Sequence, residues 1–496
     1  MDILFCASEV TPFAKTGGLA DVIAALPAAL AARGHRVAVV CPLYQGVRRG
    51  GYDLRPTGVT FEVPIGSRLV RGGFLEATIP RTDVPVYFVG QDEFYDRPAL
   101  YGPPDGDYPD NSSRFLFLAR ATLEAVRLLD FPAEVIHGHD WQAGMVGPIL
   151  KIDYPRAVGY EAIASVMTIH NILFQGWFWA YDMHLTGLGW EHFRPDALEH
   201  HGQLNFMKAG LAFADGITTV SRTYAHEIQT PEYAYGLEGL LRHRARDVAG
   251  IVNGLDRTVW DPAADAALPE TYTVETWAAG KRACRAHLQA EFGLPVEADV
   301  PILAHVGRLT DQKGWDLIIE LMRRWLPGRR AQFVVLGSGE ERYHHLLAEL
   351  AQQFPDKLAV RHTFSEPLAH RIIAGADVFL MPSRFEPCGL AQLQALRYGT
   401  PPIVRRTGGL ADTVVDATPE AIALGEATGF VFDGFDVQSF EHAVERALAT
   451  RLVHGRAWST IIEQAMRADF SWDVAASQYE AVYEAAIARA AEQARR

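Results

Sequence analysis

The sequence predicts an α/β protein with mainly parallel strands, on three observations. Short apolar strand segments alternate with helical ones, glycine-rich turns join them, and the unit recurs in both halves of the chain. Residues 3–10 read as an apolar strand, Thr16-Gly17-Gly18 as a turn, residues 20–33 as a helix stopped by Gly34, and residues 37–40 as the next strand. Strand, turn, helix and strand in that order are the βαβ signature of a parallel sheet. The pattern returns as a strand at 301–307, a helix at Trp315–Trp325 and a strand at Gln332–Leu336. It returns again as a strand at Val378–Met381 leading to a helix near 390–398.

One hexapeptide occurs twice. Thr-Gly-Gly-Leu-Ala-Asp fills positions 16–21 and again 407–412, each time leading into a helical pattern. Either the halves share an origin or two loops use the same helix-start chemistry; both readings put one glycine-rich helix N-terminus in each half. Between the halves, residues 261–269 are rich in Ala, Asp and Pro and lack periodicity, which predicts a boundary near 255–265. Residues 470–496 are Ala-rich, with Tyr479, Val482, Tyr483 and Ile487 at helical spacing, so this tail is expected to dock on a folded surface.

Composition narrows the function. The chain has 496 residues, 49% hydrophobic and 21% charged, enough to fold throughout as two or three domains. A formal charge of -14 argues against nucleic acid or an anionic membrane as partner, so an anionic ligand needs local cations. Glu9 interrupts the short N-terminal apolar run, which does not read as a signal peptide, and no apolar run approaches the roughly 20 residues of a membrane span. A cytoplasmic protein is expected. Cys6, Cys41, Cys284 and Cys388 are scattered without metal-ligand spacing, predicting reduced thiols and no metal site.

Three stretches carry chemistry. In Lys15-Thr16-Gly17-Gly18 the paired glycines admit a ligand to the backbone just before a helix N-terminus, and a lysine there can meet phosphate; a tight βα turn with a solvated lysine is the plainer reading. In residues 307–314, Arg308 and Lys313 follow a strand and precede a helix, at the carboxyl edge where α/β sheets bind ligands, and two cations there suit a diphosphate. In residues 383–391, Glu386 stands on a turn stiffened by Pro387, and the amides after Cys388 open toward a helix start. No Gly-x-Gly-x-x-Gly follows the first strand, and Gly337-Ser338-Gly339-Glu340-Glu341-Arg342 fails at its last position, which disfavours a nicotinamide enzyme.

The third stretch resembles the Glu-x7-Glu region of glycosyltransferases, with Gln394 at the second Glu position. Together with Lys15-Thr16-Gly17-Gly18, His139-Asp140-Trp141-Gln142-Ala143-Gly144, Thr168-Ile169-His170-Asn171 and Val252-Asn253-Gly254-Leu255-Asp256, it makes the whole chain similar to the bacterial glycogen synthases and plant starch synthases. The resemblance implies a GT-B fold, two Rossmann-like domains facing a deep cleft. Residues 1–258 would form the acceptor side, 259–470 the nucleotide-sugar side, and 471–496 a helical tail crossing back to the first domain. It implies retaining transfer of glucose from ADP-glucose, or UDP-glucose in some members, to the 4-hydroxyl of glycogen or a malto-oligosaccharide, without cofactor.

By the same likeness Lys15, Gly18, Arg308 and Lys313 contact the diphosphate, assisted by the backbone of Cys388, Gly389 and Leu390. Asn253 and His170 contact the glucose, with the His170 carbonyl toward the anomeric carbon, and Glu386 is the carboxylate nearest the transferred sugar. Asp21 and Asp140 order hydroxyls, and Tyr95 supplies an aromatic on the acceptor side. Three departures stand out: Phe364 where the family often has a base-stacking tyrosine, Ala234 at the first position of a Gly-x-Gly-Leu-Glu-Gly pattern, and Arg222 where proline is common.

Overall fold

The computed structural model describes residues 1–103, 106–155 and 157–495. The chain divides into two units, one of Met1–Gly254 with Trp472–Arg496 and one of Leu255–Ser471.

The first unit is built on a nine-stranded sheet centred on Asp2–Cys6. That strand pairs in parallel with Arg36–Pro42 on one side and Val135–His139 on the other. Ala164–Ile169, Gly216–Thr219 and Val248–Gly250 extend the parallel run beyond Val135–His139. These central strands are buried almost without interruption, which is why they read as continuous apolar segments rather than alternating ones. The far edge, Arg55–Ile65 against Arg68–Thr78, is antiparallel, and alternation appears in its exposure. The chain leaves the sheet at Cys6, not at residue 10: Ser8 turns its hydroxyl to Tyr101, and Glu9 turns its carboxylate to the Thr16 amide of the loop that follows.

The C-terminal helix Trp472–Ala494 belongs to this unit. It packs on helix Gly18–Ala32 and on strands Ala164–Ile169 and Gly216–Thr219, burying Tyr479 and Tyr483 completely. Outside that face, the Glu480 carboxylate accepts from Arg33 at 2.8 Å and lies 2.9 Å from the His35 ring. Those two groups hold its pKa down to about 2.

The second unit is an all-parallel six-stranded sheet ordered Leu358–Arg361, Gln332–Leu336, Ile302–Val306, Val378–Met381, Pro402–Arg405 and Phe430–Phe432. Helix Trp315–Trp325 lays a continuous apolar face on it, including the fully buried Trp315.

Both sheets reverse winding direction beside a central strand. In the first unit the reversal falls between Asp2–Cys6 and Val135–His139; in the second, between Ile302–Val306 and Val378–Met381. The loops leaving the carboxyl ends of such a strand pair splay apart and open a crevice, the usual ligand site of a doubly wound sheet. The four cysteines are buried and form no disulfide among the described residues. Among the described residues no helix is long and apolar enough to cross a membrane, and no cluster of His, Cys, Asp and Glu fits a metal ion.

Candidate active site

The switch point of the second unit gathers the residues singled out after strands Ile302–Val306 and Val378–Met381. Lys313 donates to Glu386 Oε2 at 2.5 Å, and Ser383 Oγ donates to the same oxygen at 3.1 Å. Glu386 is 5% exposed, so this pair lies in a low-dielectric wall where charges act strongly on whatever enters. The lysine loop can come this close because residue 314 is glycine, at φ +74; a Cβ there would lie 2.1 Å from the Pro382 carbonyl. Arg308 is exposed and makes no hydrogen bond or ion pair among the described residues.

Gly389 has φ +74, and Gln392 donates to the carbonyls of Cys388 and Gly389 at 2.9 and 3.0 Å. These bonds shape the turn that leads Leu390 into helix Ala391–Arg397. Gln394, at the expected second Glu position, is half-buried, and the structural work there falls to Gln392 instead. Phe364 stands 81% exposed with its ring free for stacking.

The switch point of the first unit presents a second cluster. Lys15 pairs with Asp21 at 2.6 Å, and Thr11 Oγ1 donates to the same Asp21 oxygen at 3.1 Å. Glu9, 3% exposed, accepts from the Thr16 amide and hydroxyl and from the Tyr101 hydroxyl at 2.5, 2.6 and 2.5 Å. The Lys-Thr-Gly-Gly loop is therefore tied down from beneath at Thr16, while Lys15 to Gly18 stay exposed above. Glu9 and Tyr101 were not foreseen; the signal available was a carboxylate and hydroxyls breaking an apolar strand beside that loop.

Across the crevice, Asp140 accepts from the amides of His170 and Asn171 at 2.7 and 3.4 Å. Its backbone sits at φ 55, ψ -176, a region normally left to glycine, and such strain persists where the surroundings over-determine the residue. Burial raises the Asp140 carboxyl to about 7 despite those two amide bonds, and burial lowers the His170 imidazole to about 3. At neutral pH His170 is uncharged. The His170 ring meets a second histidine, His139, at 2.9 Å. Asn253 is 5% exposed, and its amide oxygen has no protein partner among the described residues, a buried acceptor that needs a donor.

One expectation is corrected. Tyr95 offers no aromatic face: the ring is wholly buried, packed near Tyr44 and Phe94, and its hydroxyl donates to the Arg114 carbonyl at 2.7 Å. It backs the wall of the unit, whereas Tyr101 reaches Glu9, the residue beneath the glycine loop. Two departures from the family pattern find physical reasons. Ala234 keeps an ordinary backbone, and positive φ falls on Tyr235 and Gly236 instead. Arg222 opens helix Arg222–Glu227 behind the cap Ser221, a position where the amide is unpaired anyway, so proline is suited but not required.

Two α/β units, each doubly wound about a switch point that gathers polar side chains, have the architecture of the GT-B glycosyltransferases. Residues 2–243 match the family model described as starch synthase catalytic domain, and residues 289–462 the one described as glycosyl transferases group 1. The chain is 44% identical to a glycogen synthase of Rhodopirellula baltica, covering 97% of each, and 48% identical to one of Anaeromyxobacter dehalogenans, covering 97% of this chain and 99% of that one. Its structure is similar to the catalytic domain of starch synthase IV from Arabidopsis thaliana, bound to ADP and acarbose, with a TM-score of 0.90 at 33% identity over 98% and 99% of the two chains. The chain belongs to the glycogen synthase family and is a glucosyltransferase.

Proposed function

We propose that the protein transfers glucose from ADP-glucose to the non-reducing 4-hydroxyl of an α-1,4-glucan, with retention of configuration and release of ADP. The observation that carries this reading is the part-buried Lys313–Glu386 pair at 2.5 Å, in the same loop region as the unpartnered Arg308. Breaking the bond from the anomeric carbon to phosphate leaves negative charge on the diphosphate and positive charge on the sugar. Arg308 and Lys313 hold the first, with Lys15 and the amides of Gly18, Gly389 and Leu390. Glu386 opposes the second, together with the His170 carbonyl. Charges fixed before the reaction need no reorganisation when it occurs, which is why such groups lower a barrier.

Asn253 and His170 hold the sugar, Asp21 and Asp140 order hydroxyls, and Phe364 stacks on the base. No carboxylate is assigned as a nucleophile, so transfer proceeds on one face: the acceptor hydroxyl attacks from the side the diphosphate leaves, and a departing phosphate oxygen takes its proton. The ADP in the similar plant enzyme supports adenine as the base. A phenylalanine at position 364 keeps the stacking face and drops the hydroxyl, so discrimination between bases rests on other groups.

Initial rates with ADP-glucose and UDP-glucose, each with maltotetraose, test the reading. Chain extension with ADP-glucose the faster donor is expected; extension only with UDP-glucose would overturn the donor, and release of free glucose without extension would overturn the acceptor.

A further inference from the structure

Behind His170 lies a column of rings with no place in the chemistry above. His139 is fully buried, and its Nδ1 lies 2.9 Å from His170 Nε2. Its ring stacks nearly parallel on Phe5, at 13° and 5.4 Å, and sits 4.1 Å from the His137 ring. His137 is itself saturated: Nδ1 meets the Tyr483 hydroxyl of the C-terminal helix at 2.9 Å, and Nε2 meets Thr168 Oγ1 at 2.6 Å. Thr168 passes on to Thr218 at 2.5 Å. The remaining nitrogen, His139 Nε2, is buried, and no protein group among the described residues reaches it.

That orphan atom decides where a proton goes. Burial keeps all three imidazoles uncharged, so the His139–His170 contact holds a single proton. If His170 donated from Nε2, His139 would carry its own proton on Nε2, a buried N–H with no acceptor among the described residues. An imidazole N–H lies in its own ring plane, and with that plane nearly parallel to Phe5 it cannot point into the Phe5 face. If His139 donates from Nδ1, the orphan is a bare nitrogen, and a buried acceptor without a donor is tolerated better than a buried donor without an acceptor.

The geometry points to His139 as a positioning residue that fixes the tautomer of His170. Its Nδ1–H donates to His170 Nε2, so His170 carries its proton on Nδ1, an atom with no partner among the described residues. His170 is thereby set as a hydrogen-bond donor toward a sugar oxygen and not as an acceptor. The column through His137 and Tyr483 anchors His139 to the C-terminal helix. This assignment rests on the proposed role of His170 for its catalytic meaning, but not for its structural content.

Long-range proton–nitrogen NMR on the full chain labelled with 15N-histidine reads the tautomer directly, with His170→Gln used to assign the signals. A pyrrole-type Nδ1 and a pyridine-type Nε2 at His170 are expected; the reverse pattern overturns the assignment. His139→Phe keeps a ring in the column but removes the donor, and is expected to move His170 to the Nε2–H form and lower kcat about ten- to a hundredfold, the range that outer-shell partners carry. His139→Asn places an amide N–H where Nδ1 was, and is expected to restore the Nδ1–H form and most of kcat. Equal impairment of two folded variants, Phe and Asn, would overturn the positioning role. If His170→Ala alone kept normal turnover while the NMR pattern held, the catalytic role of His170 would fail and the tautomer assignment would stand.

Discussion

The hexapeptide Thr-Gly-Gly-Leu-Ala-Asp is used in two opposite ways. At 16–21 the glycines are exposed, Gly17 is extended at φ -157, and a Cβ built on it meets nothing within 4 Å. At 407–412 the glycines are buried, Gly408 lies at φ +43, and a Cβ on Gly409 would fall 2.0 Å from the Cys388 carbonyl. There the Gly409 amide donates to the carbonyls of Glu386 and Pro387 at 3.1 Å. One copy leaves its backbone open; the other clamps the turn that displays Glu386. Identical residues start a helix in both places, and only the neighbours decide whether the glycines stay open or make room for another loop.

The contrast is broken or sharpened by substitution. Lys313→Ala and Glu386→Gln should have the largest effect, each lowering kcat by about two to three orders of magnitude in a folded protein, as removal of one fixed transition-state partner does elsewhere. Circular dichroism checks the fold and donor turnover reads the loss. Gly409→Ala should come next: its methyl meets backbone on the clamped side, so thermal or denaturant unfolding should show a loss of about 1–3 kcal/mol, with reduced turnover as the Glu386 turn shifts. Gly17→Ala should leave stability within about 0.5 kcal/mol because its methyl meets no protein atom, and under the proposed function it should raise the donor KM. Equal stability losses in the two glycine variants would erase the distinction.

A smaller effect concerns pH. The Asp140 carboxyl is raised to about 7 by burial, so the folded chain holds a proton that the unfolded chain has released near the ordinary value of 3.8. Its contribution is fully present at low pH and is lost as pH climbs from that range through about 7. Denaturation midpoints of Asp140→Asn should therefore fall less steeply over this interval than those of the parent chain. Lys15→Ala should change least: its partner Asp21 is partly solvated, so stability should hold while the donor KM rises about two- to fivefold, the worth of a single exposed charge contact.

Much of this was legible beforehand. Helix Trp315–Trp325 and strands Gln332–Leu336 and Val378–Met381 lie where apolar periodicity put them, because buried parallel strands and amphipathic helices write their surroundings into the chain. Lys313 and Glu386 were readable because each follows a strand and precedes a helix. Glu9, Tyr101, His137 and His139 were harder to see. Their roles depend on pairings across long sequence separations, such as Tyr101 with Glu9 and Tyr483 with His137, which no local pattern encodes. Tyr95 was placed on the acceptor side by the family resemblance alone, and the chain around it carries no local sign that its ring is buried with the hydroxyl on the Arg114 carbonyl.

The reaction itself is the most direct test. With ADP-glucose labelled with 13C at the anomeric carbon and maltotetraose as acceptor, the product's NMR spectrum should gain an α-1,4-linked anomeric signal in step with ADP release. A β-linked signal, or ADP release with only free glucose formed, would contradict the account.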